Sequence, residues 1–164
     1  KGSCFEVVVP RAKKEHVARA LPAIPRQRMA SPIDGQIVLC VDDETEILDG
    51  MKGLIGKWGA APVTASSPGE AAAAAERIFA EQGQWPDLLL VDYHLNDHVT
   101  GLDVIDDLRN RALRKVPAVI LTADHSQTVA DLVGEAGITL LRKPVKPAAL
   151  RALVNRILSR QVAD

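Results

Sequence analysis

Four short apolar runs, each ending abruptly in a polar side chain, constrain the fold of this chain more than any other feature. Runs of Ile, Val and Leu of this length are typical of strands that are buried on both faces of a parallel sheet. They cover residues 37–41 before Asp42 and Asp43, 88–91 before Asp92, 118–121 before Thr122, and 138–141 before Arg142 and Lys143. Because parallel strands end at one edge of a sheet, we expect these polar groups to line one crevice.

Helical patterns alternate with the apolar runs. Apolar residues recur at helical spacing over residues 44–58, and an alanine-rich helix is predicted to begin at Ser67 and Pro68. Further helices are predicted over residues 101–108, 126–135 and 147–158, and a weaker strand over residues 62–65. Five successive strand-helix units predict an α/β fold with a doubly wound, five-stranded parallel sheet.

The polar residues at the strand ends follow a recognisable order, which is an acidic pair, a single Asp, a Thr and a Lys. In this order they resemble the receiver domain of two-component response regulators, over about residues 35–160. The resemblance implies a flavodoxin-like (βα)5 fold with strand order 2-1-3-4-5, taken by analogy because this family is a standard example of that order. A flavin- or nucleotide-binding protein is disfavoured, since no glycine loop follows the first strand and its acidic residues would repel a phosphate.

The resemblance implies a role for each residue of the set. Asp92 would be the phosphoacceptor, because a carboxylate can attack a phosphoryl group and carry it as an acyl phosphate. Thr122 and Lys143 would contact the phosphoryl group. The implied cofactor is Mg²⁺, held by Asp43 and Asp92 directly, by Asp42 through water, and by the backbone carbonyl of His94. Taken singly, each of these residues has a plainer explanation as a helix cap, a strand-end hydroxyl or a solvated lysine.

One position departs from the family pattern. Many receivers carry an aromatic residue three positions before the Lys, whereas this chain has Leu140. Either Leu140 reports phosphorylation weakly, or the domain serves chiefly as a phosphoryl relay. The other switch and tuning positions implied by the resemblance are His94, Ala123 and Asp124, and we expect His94 and Asp124 to affect the lifetime of the acyl phosphate. A pseudoreceiver, which binds proteins without being phosphorylated, stays open as the alternative function.

The first 35 residues differ from the rest, with seven basic and three acidic side chains. Residues 1–10 resemble the last strand of the ATP-binding domain of sensor histidine kinases, although Gly2 and Ser3 are also a common cloning remnant. Pro22, Pro25 and Pro32 predict a linker over residues 11–35. We therefore expect a receiver domain over residues 36–160, a tail over 161–164, and a hybrid histidine kinase as the parent protein.

The composition predicts the cellular setting of the chain and limits the kinds of partner it can bind. Cys4 and Cys40 are isolated, which predicts a reduced, cytoplasmic setting, and no apolar run is long enough for a membrane span. The basic residues lack interleaved aromatics, so neither nucleic acid nor membrane contact is expected of this fragment. The implied partners are a histidine kinase or a histidine phosphotransfer domain, and homodimerisation stays open. We expect no turnover beyond self-phosphorylation and self-dephosphorylation, whereas the parent chain would be a kinase.

Overall fold

The computed structural model describes residues 31–95 and 99–161, in which five strands alternate with five helices. All neighbouring strands are parallel, and their spatial order is β2-β1-β3-β4-β5. The predicted doubly wound, flavodoxin-like sheet is therefore confirmed. The elements are β1 Ile37–Val41, α1 Thr45–Lys57, β2 Ala61–Ala65, α2 Pro68–Gln82, β3 Leu88–Asp92, α3 Gly101–Ala112, β4 Ala118–Thr122, α4 Gln127–Glu135, β5 Thr139–Arg142 and α5 Pro147–Gln161.

The core lies on both faces of the sheet, as the apolar runs predict. Every residue of β1, β3 and β4 is buried. On one face these strands pack against α2, α3 and α4, and on the other face against α1 and α5. The alanines of α2 contribute to the first face, where Ala71 and Ala75 are fully buried. Their small side chains allow the helix to lie close to the sheet.

Side-chain caps fix where three of the helices begin. Ser67 accepts a hydrogen bond from the Glu70 N–H at the start of α2, as predicted, and Ser126 does the same for α4. Thr100 and Asp103 form a reciprocal capping box at the start of α3. Since α3 follows the strand that ends in Asp92, this cap fixes the backbone next to the predicted site.

Some boundaries differ from the sequence prediction. Helix α3 continues to Ala112 and α5 to Gln161, each beyond its last predicted apolar position. Apart from Ala112 the added residues are polar, so the sequence shows no apolar periodicity there. Strand β2 is confirmed over Ala61–Ala65, at the edge of the sheet, where only Ala65 is buried.

The chain enters the sheet through a turn that packs on the domain. Ile33 is completely buried among the apolar residues of α1 and α5. Ser31 donates a hydrogen bond from its hydroxyl group to the side-chain carbonyl of Asn155 in α5, at 2.9 Å. Residues 31–35, the last part of the predicted linker, are therefore part of the folded unit.

Several predictions fall on residues that the structure does not describe. The predicted kinase strand over residues 1–10, the linker up to residue 30 and residues 162–164 of the tail lie outside the described residues. None of the helices within residues 31–95 and 99–161 has the length and apolar character needed to cross a membrane.

Candidate functional site

The predicted polar residues meet at the carboxyl edge of the sheet. Asp42 follows β1, Asp92 ends β3, Thr122 ends β4 and Lys143 follows β5. Strands β1 and β3 are neighbours, and the strand order reverses at this point. In an open α/β sheet such a reversal leaves a crevice, because the loops after the two strands run to opposite faces.

Lys143 joins two buried carboxylates across this crevice. Its Nζ atom lies 2.6 Å from Oδ1 of Asp92 and 2.9 Å from Oδ2 of Asp42. The Asp42 side chain is 1% exposed, that of Asp92 is 9% exposed and that of Lys143 is 19% exposed. At these distances and this burial the attraction is strong, because little water screens it.

The protonation of this cluster follows from burial and from the two ion pairs. Burial raises the pKa of Asp92, and the hydrogen bond from Lys143 opposes that rise. Burial disfavours the charge on Lys143, but its hydrogen bonds to Asp42 and Asp92 raise its pKa above the ordinary value. Lys143 therefore stays positively charged, as a group that binds a phosphoryl anion must be.

Backbone amides hold both carboxylates in place. The His94 N–H donates to Oδ2 of Asp92 at 2.9 Å, and the Glu44 N–H donates to Oδ1 of Asp42 at 3.0 Å. One oxygen of each carboxylate is thus bound by the following loop and the other by Lys143. Among the described residues, no buried side-chain nitrogen or oxygen atom lacks a hydrogen-bond partner.

Thr122 lies on the far side of the crevice and is completely buried. Its hydroxyl oxygen accepts a hydrogen bond from the Asp124 N–H at 3.0 Å. Its carbonyl oxygen accepts a hydrogen bond from the Lys143 N–H at 2.7 Å. The hydroxyl and the lysine are therefore connected through the backbone of β4 and the residue after β5.

The chemistry of the acidic residues suits a magnesium ion. Asp42 and Asp92 offer the hard oxygen ligands that Mg²⁺ prefers, and the partly buried Asp43 directly follows Asp42. Lys143 contacts Asp42 and Asp92, but its single positive charge neutralises only one of the two carboxylates. Within the described part of the chain, no three His, Cys, Asp or Glu side chains converge closely enough to form a metal site. With the side chains in this arrangement, Lys143 takes the contacts to both buried carboxylates.

The predicted switch and tuning residues lie at the rim. Nε2 of His94 is 3.6 Å from Oδ2 of Asp124, so the two side chains meet across the mouth of the crevice. A hydrogen bond from the Ser126 N–H lowers the pKa of Asp124, and His94 acts in the same direction. Ala123 is exposed, whereas Leu140 is partly buried and packs against the core between the sheet and α2, α3 and α4.

Sequence reasoning missed the role of Gly101 beside the acceptor. A Cβ atom added to Gly101 would lie 2.2 Å from the backbone carbonyl oxygen of Asp92 and 2.9 Å from Cδ1 of Ile120. The Gly101 N–H also donates to the Tyr93 carbonyl at 2.8 Å. The sequence shows a Gly at the start of a helix, which is common, and only the tertiary contact reveals why a side chain does not fit.

Two neighbouring features complete the description of the site. The peptide bond between Lys143 and Pro144 is cis, an isomer that the tertiary amide before a proline makes accessible. Cys40 lies in β1, completely buried, and burial raises the pKa of its thiol to about 12. The thiol is therefore protonated and unreactive in the folded protein.

Comparison with known proteins establishes the family. A model of the response regulator receiver domain matches residues 38–155, so the chain belongs to the response regulator receiver family. As a class, receiver domains are phosphorylation-based switches of two-component systems that bind Mg²⁺ and interact with histidine kinases or phosphotransfer domains. No curated protein gives a significant match.

Solved structures of receivers share the fold over most of the chain. A response regulator receiver domain protein from Clostridium thermocellum is 28% identical, with a TM-score of 0.67, and the match covers 78% of this chain and 98% of that one. A CheY-like receiver domain protein from Methanospirillum hungatei JF-1 is 26% identical, with a TM-score of 0.68 and coverage of 79% and 98%. Chemotaxis protein CheY4 from Vibrio cholerae is 25% identical, with a TM-score of 0.65 and coverage of 75% and 98%.

Proposed function

We propose that this domain takes a phosphoryl group from a phosphohistidine onto Asp92, and that it acts as a switch or relay in a two-component phosphorelay. One observation carries the proposal, namely the contact of Lys143 with both Asp92 and Asp42 at the point where the strand order reverses. A buried carboxylate beside a fixed cation can act as a nucleophile toward a phosphoryl group. Membership of the receiver family supports the same assignment.

The transfer is a displacement at phosphorus. An oxygen atom of Asp92 forms a bond to phosphorus while the phosphorus–nitrogen bond of the phosphohistidine breaks, and the imidazole leaves with the electron pair of that bond. The product is an acyl phosphate on Asp92. Lys143 stabilises the charge of the entering group from one side, since its ammonium group already lies 2.6 Å from the acceptor. The His94 N–H fixes the orientation of the carboxylate.

A magnesium ion would supply charge neutralisation, because a phosphoryl dianion beside carboxylates is otherwise repelled by several kcal/mol. In our proposal Asp43, Asp92 and the backbone carbonyl of His94 are direct ligands, and Asp42 binds through water. Asp42 and Asp92 must then share their oxygen atoms between the ion and Lys143. Asp43 directly follows Asp42 and is partly buried.

Thr122 and the rim residues would convert phosphorylation into a signal. Among the described residues, the Thr122 hydroxyl makes one side-chain hydrogen bond, in which it accepts from the Asp124 N–H. We propose that it donates to a phosphoryl oxygen after transfer, and that Ala123 and Leu140 follow this movement. The exposed His94 side chain meets Asp124 at the rim of the crevice, and we propose that these two residues set the lifetime of the acyl phosphate. Without an aromatic residue at position 140, the relay role is favoured over a strong conformational output.

The proposed context is a hybrid histidine kinase with this receiver following its kinase domain, in the cytoplasm. The donor is then a histidine of the kinase or of a phosphotransfer domain. The alternative function is a pseudoreceiver, which keeps the fold and binds proteins without being phosphorylated. The two functions differ in a single measurable property, the ability of Asp92 to accept a phosphoryl group.

The decisive experiment is intact-mass spectrometry after incubation with acetyl phosphate and Mg²⁺. We expect one phosphoryl adduct that is absent from Asp92→Asn and from a sample treated with EDTA. Asp106→Asn is the matched control, because this carboxylate is exposed on α3 and has no part in the proposed site, so the adduct should stay in place. A phosphorylated histidine phosphotransfer domain serves as the second donor. If neither donor gives an adduct under rapid acid quenching, the pseudoreceiver replaces our proposal.

A further inference from the structure

The loop that follows β4 is an exposed segment at the mouth of the crevice. Residues 123–126, which we call the β4–α4 loop, join Thr122 to helix α4, and three of these four residues are exposed. Two hydrogen bonds lie inside this segment, from the Asp124 N–H to the Thr122 hydroxyl and from the Ser126 N–H to Oδ1 of Asp124. Exposed loops with little packing open easily, so each contact with another element affects the position of this one.

Arg142 joins the β4–α4 loop to β5. Its Nη1 atom lies 2.8 Å from Nδ1 of His125 and 3.5 Å from the His125 carbonyl oxygen. Because a guanidinium group only donates, Nδ1 of His125 accepts this hydrogen bond, and the imidazole is then the neutral tautomer with its proton on Nε2. Arg142 is also the residue paired with Thr122 in the ladder between β4 and β5. The loop is thus fastened to the strand residue opposite the point where it begins.

The other polar contact between this loop and a neighbouring element is longer. Nε2 of His94 lies 3.6 Å from Oδ2 of Asp124, which exceeds the length of an ordinary hydrogen bond. Leu140 shares one face of β5 with Arg142, because side chains alternate along a strand, but it packs against the core and has no polar side-chain atom. Within the described residues, Arg142 therefore makes the shortest polar side-chain contact between the β4–α4 loop and another element.

We propose that Arg142 is a positioning residue, which holds the β4–α4 loop in place before phosphorylation and so opposes the movement of Thr122. This inference rests on the proposed function, in which the Thr122 hydroxyl donates to a phosphoryl oxygen on Asp92. When the hydroxyl turns toward Asp92, the Asp124 N–H must follow it or lose its acceptor. The loop then shifts, and the hydrogen bond between Arg142 and His125 is stretched or broken.

The hydrogen bond from Arg142 therefore limits how often the unphosphorylated domain adopts the shifted arrangement of the loop. A ligand that requires a minor arrangement binds more weakly in proportion to the population of that arrangement. Arg142 and His125 are both exposed, and losing a hydrogen bond between such groups changes an equilibrium by about two- to fivefold. Without this bond, binding of a phosphoryl mimic at Asp92 should tighten by the same factor.

The first measurement needs no phosphoryl group. Water-exchange NMR of the unphosphorylated full chain gives the exchange rates of the Asp124 and Ser126 amides, corrected for the intrinsic rate of each sequence. Arg142→Met removes the donor and should raise both rates about two- to fivefold. His125→Leu removes the acceptor and should do the same, and the double variant should show no further increase. Lys146→Met is the matched control, because it removes another exposed cation and should leave both rates unchanged.

The second measurement uses beryllofluoride with Mg²⁺, a stable mimic of the phosphoryl group, in a calorimetric titration. Arg142→Met should bind beryllofluoride about two- to fivefold more tightly than the parent chain, and Lys146→Met should match the parent chain. A domain damaged by the substitution would bind more weakly, and so would a domain that had only lost a positive charge near the crevice. Tighter binding therefore separates a released loop from both of these effects.

Faster amide exchange together with tighter binding would support the role of Arg142. Unchanged exchange in both Arg142→Met and His125→Leu would overturn it, and so would faster exchange with no gain in beryllofluoride affinity. A parent chain that binds no beryllofluoride would instead contradict the proposed function, while the exchange rates would still decide whether Arg142 holds the loop.

Discussion

Replacing Gly101 by Ala should destabilise the domain even though Ala favours helix. The added Cβ atom would lie 2.2 Å from the Asp92 carbonyl oxygen and 2.9 Å from Cδ1 of Ile120. The Ile120 methyl group can rotate away from the added atom. The Asp92 carbonyl cannot move in this way, because it belongs to the backbone of β3. Overpacking of this kind costs about 1–3 kcal/mol, which exceeds the ~0.5–1 kcal/mol that Ala gains over Gly within a helix.

The assay is urea unfolding followed by circular dichroism, with Gly53→Ala as the matched control. Gly53 lies inside α1 with no atom within 4 Å of an added Cβ, so this variant should gain about 0.5–1 kcal/mol. Gly101→Ala should lose about 1–2 kcal/mol, and the two variants should differ in sign. Phosphorylation by acetyl phosphate should slow in Gly101→Ala alone. If Gly101→Ala is as stable as Gly53→Ala, the close approach of α3 to Asp92 is not a constraint.

Three further results are expected. Asp103→Asn should lose roughly 0.5–1 kcal/mol at neutral pH, because Thr100 lowers the pKa of Asp103 in the folded state. The difference in unfolding free energy between the wild type and Asp103→Asn is fully present above the pKa of Asp103 in the unfolded chain, about 4. It is lost as the pH falls through the lower pKa of Asp103 in the folded protein, and urea titrations at several pH values would show this loss. Lys143→Met should cost about 1–3 kcal/mol in EDTA, since it leaves Asp42 and Asp92 unpaired, and a loss near zero in thermal unfolding would contradict the ion-pair geometry. In a Cys4→Ser background, Cys40 should react with a thiol reagent only on unfolding, because its thiol is buried with a pKa of about 12; rapid labelling of that native variant would rule this out.

The three central strands of the sheet could be predicted from the sequence because β1, β3 and β4 are buried on both faces. Such strands must be continuously apolar, so each one is visible as a run and its end is marked by the first polar residue. Asp42, Asp92 and Thr122 were located in this way, and parallel strands bring their ends to one edge. The strand order came from the family analogy, since apolar runs alone do not say which strands are neighbours.

Contacts made across loops could not be predicted. The exclusion of a side chain at Gly101 depends on how closely α3 approaches β3, and the meeting of His94 with Asp124 depends on the path of two separate loops. The prolines and basic residues around Ile33 are typical of a linker, and they predict one there. A single apolar residue in such a segment carries no periodicity, so its burial against α1 and α5 leaves no pattern to detect.

The hydrogen bond from the Lys143 N–H to the Thr122 carbonyl makes the two sides of the crevice mechanically dependent. Thr122 and Arg142 are paired in the ladder between β4 and β5, and Lys143 extends that ladder by one more bond. A displacement of the backbone at Thr122 must therefore shift the attachment point of the lysine side chain. The positions of the Thr122 hydroxyl and the Lys143 ammonium group are thus linked by one backbone bond between β4 and the residue after β5.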